Sequence, residues 1–540
     1  MPFLRRNTAP PPTLPVHNGP SRVASCLEWM TTASSVIFTE RDEWKKEWKM
    51  VKYSASEHNK PFIKILGERS GCNCQDEEIS NFMDQRSSPR GEFETQRVEA
   101  FCQGAGQLLG LEVPTRDQQP VNVEEPRAWV SDRNYWLLKD DPAETSRYGN
   151  VLGRIDLYNV LRKERYRESP SGEMVGPIRH LYFERFVSNP DGASVLAILK
   201  TANAFQVAAL QDLLANYITT DPNPSISLEV SDLWNTSYVI SFTLPFYAIG
   251  LSGREDKRTL HGKKLFRTHF DLESFSKEEL RSILTDTEDL APEEKLLLHQ
   301  GVYSFSATGV TEEHWTAYCF DDEFFESEPR ILGDEEETQS PEECVDPIMV
   351  EVDVRDTASQ WRPRQYSLVA LAKRIDKVHG HHTLVHEVFR HSLDSYTRSI
   401  RDNSNRTLNH SNEQALKIYP DLLSRVISYN NKNIKEVESF LDEGIQLDQA
   451  GVPQGMLWRS LRSDIQALKA LRAITKNLKK LKRVGDKLEE IQRSFKGLRH
   501  ESTETARLCR STENQGRKSK GARRRYGCKF APLAPRQRQN

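Results

Sequence analysis

No stretch of this 540-residue chain approaches the roughly 18–20 apolar residues that a membrane-crossing helix requires. The best run, Tyr238–Leu251, contains Pro245 and is rich in β-branched and aromatic residues, so it reads as a buried strand or strand pair. Cysteine is sparse: eight scattered residues make no disulfide framework, which points to a reducing compartment. Cys72 and Cys74 form a lone C-x-C with no second pair or histidine at zinc spacing. Pro10–Pro12 and Pro15 break any apolar segment near the start, so no signal peptide is expected. A P-loop, a nucleophile elbow and a dinucleotide glycine pattern are all missing. Gly262-Lys263-Lys264 lacks the Ser/Thr and the upstream glycine that phosphate cradling needs. Asp321-Asp322-Glu323, beside Phe324 and Phe325, stands where a strand runs into an acidic segment and is expected to be solvated. The chain is therefore expected not to be an enzyme and to need no resident cofactor.

What is present is charge, unevenly placed. The net charge is only -3, yet from Gly455 onward Lys and Arg outnumber Asp and Glu 24 to 7. Residues 1–454 consequently carry -20. Such polarity signals a basic element meeting an anionic surface, either a partner's or the protein's own. Apolar residues make up 37% and charged residues 28%, so much of the length is solvated.

Hydrophobic periodicity divides the chain. Residues 1–25 are expected to be disordered, and 26–125 to form a helical and looped extension. Residues 126–330 alternate periods of 2 and 3.6, with strands at Arg179–Phe186, Ser225–Val230, Tyr238–Ile249, Val302–Ala307 and His314–Phe320. A turn at Asn189-Pro190-Asp191-Gly192 leads into a helix over Ala193–Tyr217. An acidic linker occupies 331–360, with Asp334–Glu337 at its centre. Two helices follow within 361–443, near Pro363–Ile400 and Glu413–Asp442. After the break at Gly451-Val452-Pro453-Gln454-Gly455, one long helix covers 454–506, and 507–540 is expected to be a disordered basic tail. The predicted class is α+β: an α/β sheet domain, a helical hairpin and a stalk-like helix.

The long helix is the most informative segment. Ile474, Leu481, Leu488 and Phe495 recur seven apart, and Ile491 joins them in a stripe of apolar residues three or four apart. From Leu457 to Leu498 it would run about 63 Å at ~1.5 Å per residue. It needs a covering surface: the chain's own hairpin or further copies of itself, making a homo-oligomer. Lys476, Lys479, Lys480, Lys482 and Arg483 form a basic cluster on it. On the preceding helix His379, His382 and His386 fall within about 60° of one another at 100° per residue, a candidate set for a divalent cation. The competing reading makes them boundary residues of the hairpin. His386-Glu387 reaches His391 one residue too late for a zinc-protease motif.

An α/β domain, two helices and a very long helix, in that order, resemble the CorA-type magnesium transporters, in particular the divergent CorA-like proteins of filamentous fungi. The residues carrying the likeness are Arg179-His180-Leu181-Tyr182, Asn189-Pro190-Asp191-Gly192, the segment Phe205–Tyr217, Tyr238-Val239-Ile240-Ser241-Phe242 and His314–Asp322. The resemblance implies a cytosolic funnel domain built from several subunits, with the stalk continuing into a pore. Here the Gly-Met-Asn motif and both membrane helices are lacking, so no pore or selectivity residue carries over. The expectation is a non-enzymatic CorA-like cytosolic domain acting as an oligomeric or accessory protein, cytoplasmic, with peripheral membrane contact through its basic helix. A truncated reading frame would make it membrane-associated instead. Two rivals are a soluble coiled-coil interaction or regulatory protein, and a nuclear nucleic-acid-associated protein acting through Arg517–Arg525. The last is disfavoured, because only Tyr526 and Phe530 could stack on bases.

Overall fold

The computed structural model describes residues 60–70, 78–83, 89–111, 127–136, 144–147, 152–163, 179–231, 237–251, 253, 255–260, 264–272, 295–309, 312, 314–326, 346–349, 361–402 and 410–526. Residues 1–25, most of the acidic linker 331–360 and Cys72 and Cys74 lie outside them. The class is α+β, with a mixed sheet and a long C-terminal helix.

The strands are β1 (Arg127–Trp136), β2 (Glu144–Arg147), β3 (Arg179–Ser188), β4 (Ser225–Ser231), β5 (Ser237–Leu251), β6 (Thr259–Leu260), β7 (Lys264–Leu265), β8 (His269–Asp271), β9 (Leu296–Gly309) and β10 (His314–Asp321). Eight of them form one sheet in the order β2-β1-β3-β10-β9-β5-β4, with β8 also paired to β9, while β6 and β7 make a separate small hairpin. Among the described strands β3 and β10 are the one parallel pair. The apolar run around Pro245 is one strand of 15 residues, buried nearly throughout.

The pleat decides what each side of the sheet meets. Trp315, Ala317 and Cys319 join a core with the C-terminal helices, whereas Tyr318 and Phe320 join a core with the N-terminal ones. The N-terminal layer contains α1 (Phe62–Ser70), α2 (Glu78–Met83), α3 (Pro89–Phe101), α4 (Ala105–Leu108), α5 (Arg154–Leu161), α6 (Gly192–Thr201) and α7 (Val207–Tyr217). The single helix expected over Ala193–Tyr217 is thus two, broken at Asn203, whose backbone N–H donates to Gln206 Oε1 at 3.0 Å. The turn before α6 works as its residues suggest. Asn189 takes φ 50°, and Asp191 caps the helix by accepting from Ser194 N at 2.8 Å.

On the opposite side lie α8 (Pro363–Asp402), α9 (His410–Ser439) and α10 (Ile465–Tyr526). Both bounds of the long helix differ from expectation. Asp464 starts it by accepting from Ala467 N at 2.9 Å, after a short 3-10 turn at Arg459–Ser463. It continues to Tyr526 rather than 506, past the point where the apolar stripe has ended. No helix among the described residues is long and apolar enough to cross a membrane.

The stripe is covered from within the chain. Ile474 and Leu481 pack with Leu371, Ile375 and Val378 of α8 against the sheet. Leu488, Ile491 and Phe495 pack with Val385, Phe389, Tyr419 and Leu423 of the hairpin. All five stripe residues are at most 5% exposed, so self-association through them would require the hairpin to open.

Candidate functional site

One buried polar side chain ties the C-terminal helices together. Asn430 of α9 links all three C-terminal helices: its Oδ1 lies 3.0 Å from His382 Nδ1 on α8, and its Nδ2 donates to the Leu481 carbonyl on α10 at 3.1 Å. Gly485 makes room for it, since a Cβ there would come within 2.7 Å of Asn430 Nδ2. This node sets how the helices register. Asn430→Ala is expected to cost about 1–3 kcal/mol by stranding a buried imidazole nitrogen, seen as a lower urea midpoint with an unchanged slope.

The densest polar constellation is Asp321-Asp322-Glu323. Contrary to the expectation of a solvated cluster, all three are buried, at 0%, 0% and 4% exposure. The alternation of the strand sends them to opposite layers. Asp322 faces the N-terminal layer. Its Oδ1 accepts from Arg258 Nη2 at 2.7 Å and from the Tyr217 hydroxyl at 2.5 Å. Its Oδ2 accepts from Arg267 Nε at 2.6 Å and from Val302 N at 3.0 Å. Arg258 is shared with Asp256 through two contacts, at 2.7 and 3.0 Å, and also donates to the Pro190 carbonyl. Arg267 donates onward to the Thr219 and Tyr217 carbonyls and lies 3.9 Å over the Phe266 ring.

Asp321 and Glu323 face α8. Arg374 Nη2 lies 2.7 Å from Asp321 Oδ2, and Lys377 Nζ 2.6 Å from Glu323 Oε1. Ser188 donates to Glu323 Oε2 at 3.2 Å. The backbone is held too, since Asn189 N donates to the Asp321 carbonyl and Glu323 N to Asn189 Oδ1, each at 2.8 Å. Four carboxylates, counting Asp256, thus meet four cations, and the ends of both helical layers are tied to one strand terminus.

Burial works against every charge here, and the neighbouring cations outweigh it at two of the three carboxylates. For Asp322, burial raises the pKa but Arg267 and Arg258 outweigh it and hold the carboxyl below its ordinary value. Glu323 is likewise held low, burial being overcome by Lys377. Asp321 goes the other way: burial dominates over Arg374, with Glu323 adding repulsion, and its pKa rises to about 6. Burial also drives the Cys319 thiol well above its ordinary range, which makes it inert as a nucleophile. The arrangement fastens; it exposes no activated base or nucleophile.

The histidines expected to form a cation site are dispersed in their commitments. His379 Nε2 lies 3.3 Å from Thr383 Oγ1, His382 is buried on Asn430, and His386 is buried farther along the same helix. His381, between them, turns to the sheet, where Tyr303 Oη is 2.8 Å from its Nε2 and Phe246 stacks at 4.9 Å. Among the described residues no group of three or more His, Cys, Asp or Glu side chains is placed to hold a metal ion. The basic cluster is partly neutralised internally: Lys480 pairs with Asp376 of α8 at 2.7 Å, and Lys482 with Glu438 of α9. Lys476, Lys479 and Arg483 point outward.

Sequence reasoning missed the carboxylate hub, although one signal was present. Arg374 sits inside the apolar stripe of α8, three residues after Leu371 and four before Val378. A cation at a core position requires a buried counter-charge.

No family model matches this chain, and no curated protein matches it. Eleven chains among solved structures match. One is described as the structure of the full-length CmaX protein; the likeness has 9% sequence identity and a TM-score of 0.31, and covers 74% of this chain and 83% of that one.

Proposed function

We propose that this protein is a non-enzymatic, CorA-like accessory protein in which a rigid body holds out a basic helix toward an anionic membrane surface. One observation carries the reading: α10 outruns the hairpin that covers it. The last buried stripe residue is Phe495, yet the helix continues to Tyr526. Over 499–526 the sequence has nine Lys and Arg against three Glu, six of the cations lying within 517–525. A helical arm of that charge, with no apolar stripe, suits electrostatic contact with acidic lipid headgroups at about 1 kcal/mol per cation near the surface. The non-enzymatic part of the reading is supported by the hub, whose carboxylates are engaged by cations. The CorA-like part is supported by the order of the elements, an α+β sheet domain followed by a hairpin and a stalk-like helix.

The test is co-sedimentation of the full chain with vesicles of phosphatidylcholine alone or with phosphatidylserine. Binding is expected only to the anionic vesicles, to weaken steeply with salt, and to fall at least about tenfold when Arg517, Lys518, Lys520 and Arg523 are changed to glutamine. Equal binding to both vesicle types, or equal binding by the glutamine variant, would overturn it. So would retention of RNA in preference to anionic vesicles.

A further inference from the structure

The outward side of α10 carries a second charged feature, separate from the arm beyond Phe495. From Ile465 to Gly485 the helix has seven Lys and Arg and no Asp or Glu. Lys469, Arg472, Lys476, Lys479 and Arg483 recur three or four apart. That spacing gathers them within about 80° of the helix circumference, on the side away from Ile474 and Leu481. All five are exposed, and among the described residues none is paired with a carboxylate. They make a cationic ridge roughly 21 Å long at ~1.5 Å per residue. The other two cations of the stretch border it. Lys480 pairs with Asp376 of α8 on one side and Lys482 with Glu438 of α9 on the other. The ridge ends where Asp486, Glu489 and Glu490 begin. At its start Ile465, on the same side, is 70% exposed.

We propose that this ridge is a docking surface for an acidic helix of a partner protein, laid alongside α10 with its carboxylates facing the five cations. Three arguments single out that occupant. On a helix, carboxylates three and four residues apart stand about 5–6 Å from one another, the step at which these cations recur, so the two rows match along the whole length. The paired Lys480 and Lys482 leave neutral borders, so the positive charge forms a line. A line suits one helix better than the plane of a lipid surface, whose contact falls to the arm beyond. Residues 465–485 also hold no aromatic side chain on which a nucleic-acid base could stack, whereas the exposed Ile465 gives an apolar residue of the partner a contact.

The experiment is fluorescence anisotropy of a labelled alanine-based helical peptide, as long as the ridge, with glutamates alternately three and four residues apart and a leucine at one end. Its control has the same composition with the glutamates spread around the helix. Mixed with the full chain, the patterned peptide is expected to bind at least about tenfold more tightly than the control and to be released at high salt. The combined variant Lys476→Glu, Lys479→Glu and Arg483→Glu should lose the binding with an unchanged thermal midpoint, and Ile465→Ala should weaken it severalfold. Changing Arg517, Lys518, Lys520 and Arg523 to glutamine, the change expected to release vesicles, should leave peptide binding as it is, so the two readings fail separately. Equal affinity for both peptides, or retained binding by the charge-reversed variant, would overturn the proposal. So would tighter binding of polyuridylate that the same charge reversal abolishes. Stronger peptide binding after deletion of residues 334–343 would overturn it too, by showing that the chain's own acidic segment fills the ridge.

Discussion

Asp322→Ala is expected to destabilise the protein by about 3–5 kcal/mol, because removing one member of a buried ion network strands its counter-charges. Arg258 keeps Asp256, but Arg267 would be left at 0% exposure with no carboxylate in contact. Urea unfolding followed by circular dichroism would measure this, and a loss under 1 kcal/mol would refute the role given to the hub. The pH dependence follows from the signs of the shifts. Asp322 and Glu323 are held below their ordinary values, so what they add to stability is present above the unfolded-state range, near 4, and is lost as pH falls through their folded pKa values. Asp321 contributes with the opposite sign. Its pKa rises from 3.8 to about 6, so its contribution is present below 3.8 and is lost as pH climbs through 6. Asp321→Asn should therefore flatten the profile between those values, whereas Asp322→Ala should reduce the acid-side loss.

Leu481→Ala should cost about 2–5 kcal/mol, the range for a buried leucine whose neighbours cannot collapse into the space. Leu481 is 1% exposed and packs in the core shared by α8, α10 and the sheet. Its own carbonyl is the group that Asn430 reaches, so relaxation of the helix is resisted there as well. Ile465→Ala, at the same helix's exposed start, should change stability by no more than about 0.5 kcal/mol, Ile465 being 70% exposed. Comparable costs at the two positions would mean that the stripe is not the seam of the bundle.

These expectations separate what could be read in the residues from what could not. Strands β3, β4, β5 and β10 and helices α8 and α9 were legible to within a few residues from their apolar patterns, whereas β9 begins at Leu296, six residues before the expected Val302. Strands β1 and β2 were not assigned from the sequence, and neither was the short β6–β7 hairpin. Two-residue strands such as β6 and β7 are too short to show a period. The end of α10 was misplaced because the stripe was taken to mark the helix, whereas the backbone stays helical to Tyr526, beyond the last buried stripe residue Phe495.

The sequence by itself determined that a long amphipathic helix exists, that it needs a cover, that its far end is basic and that nothing in it has the length and apolarity of a membrane span. Only the tertiary structure decided that the cover is the chain's own hairpin, since periodicity identifies a face and never its neighbour. The same holds for Asp321-Asp322-Glu323. Whether such a triplet is solvated or buried depends on cations supplied from elsewhere, and those reaching Asp322 stand 64 and 55 residues earlier in the chain. Folding brings them to one strand end, and there the pleat divides three neighbouring carboxylates between the two layers they hold together.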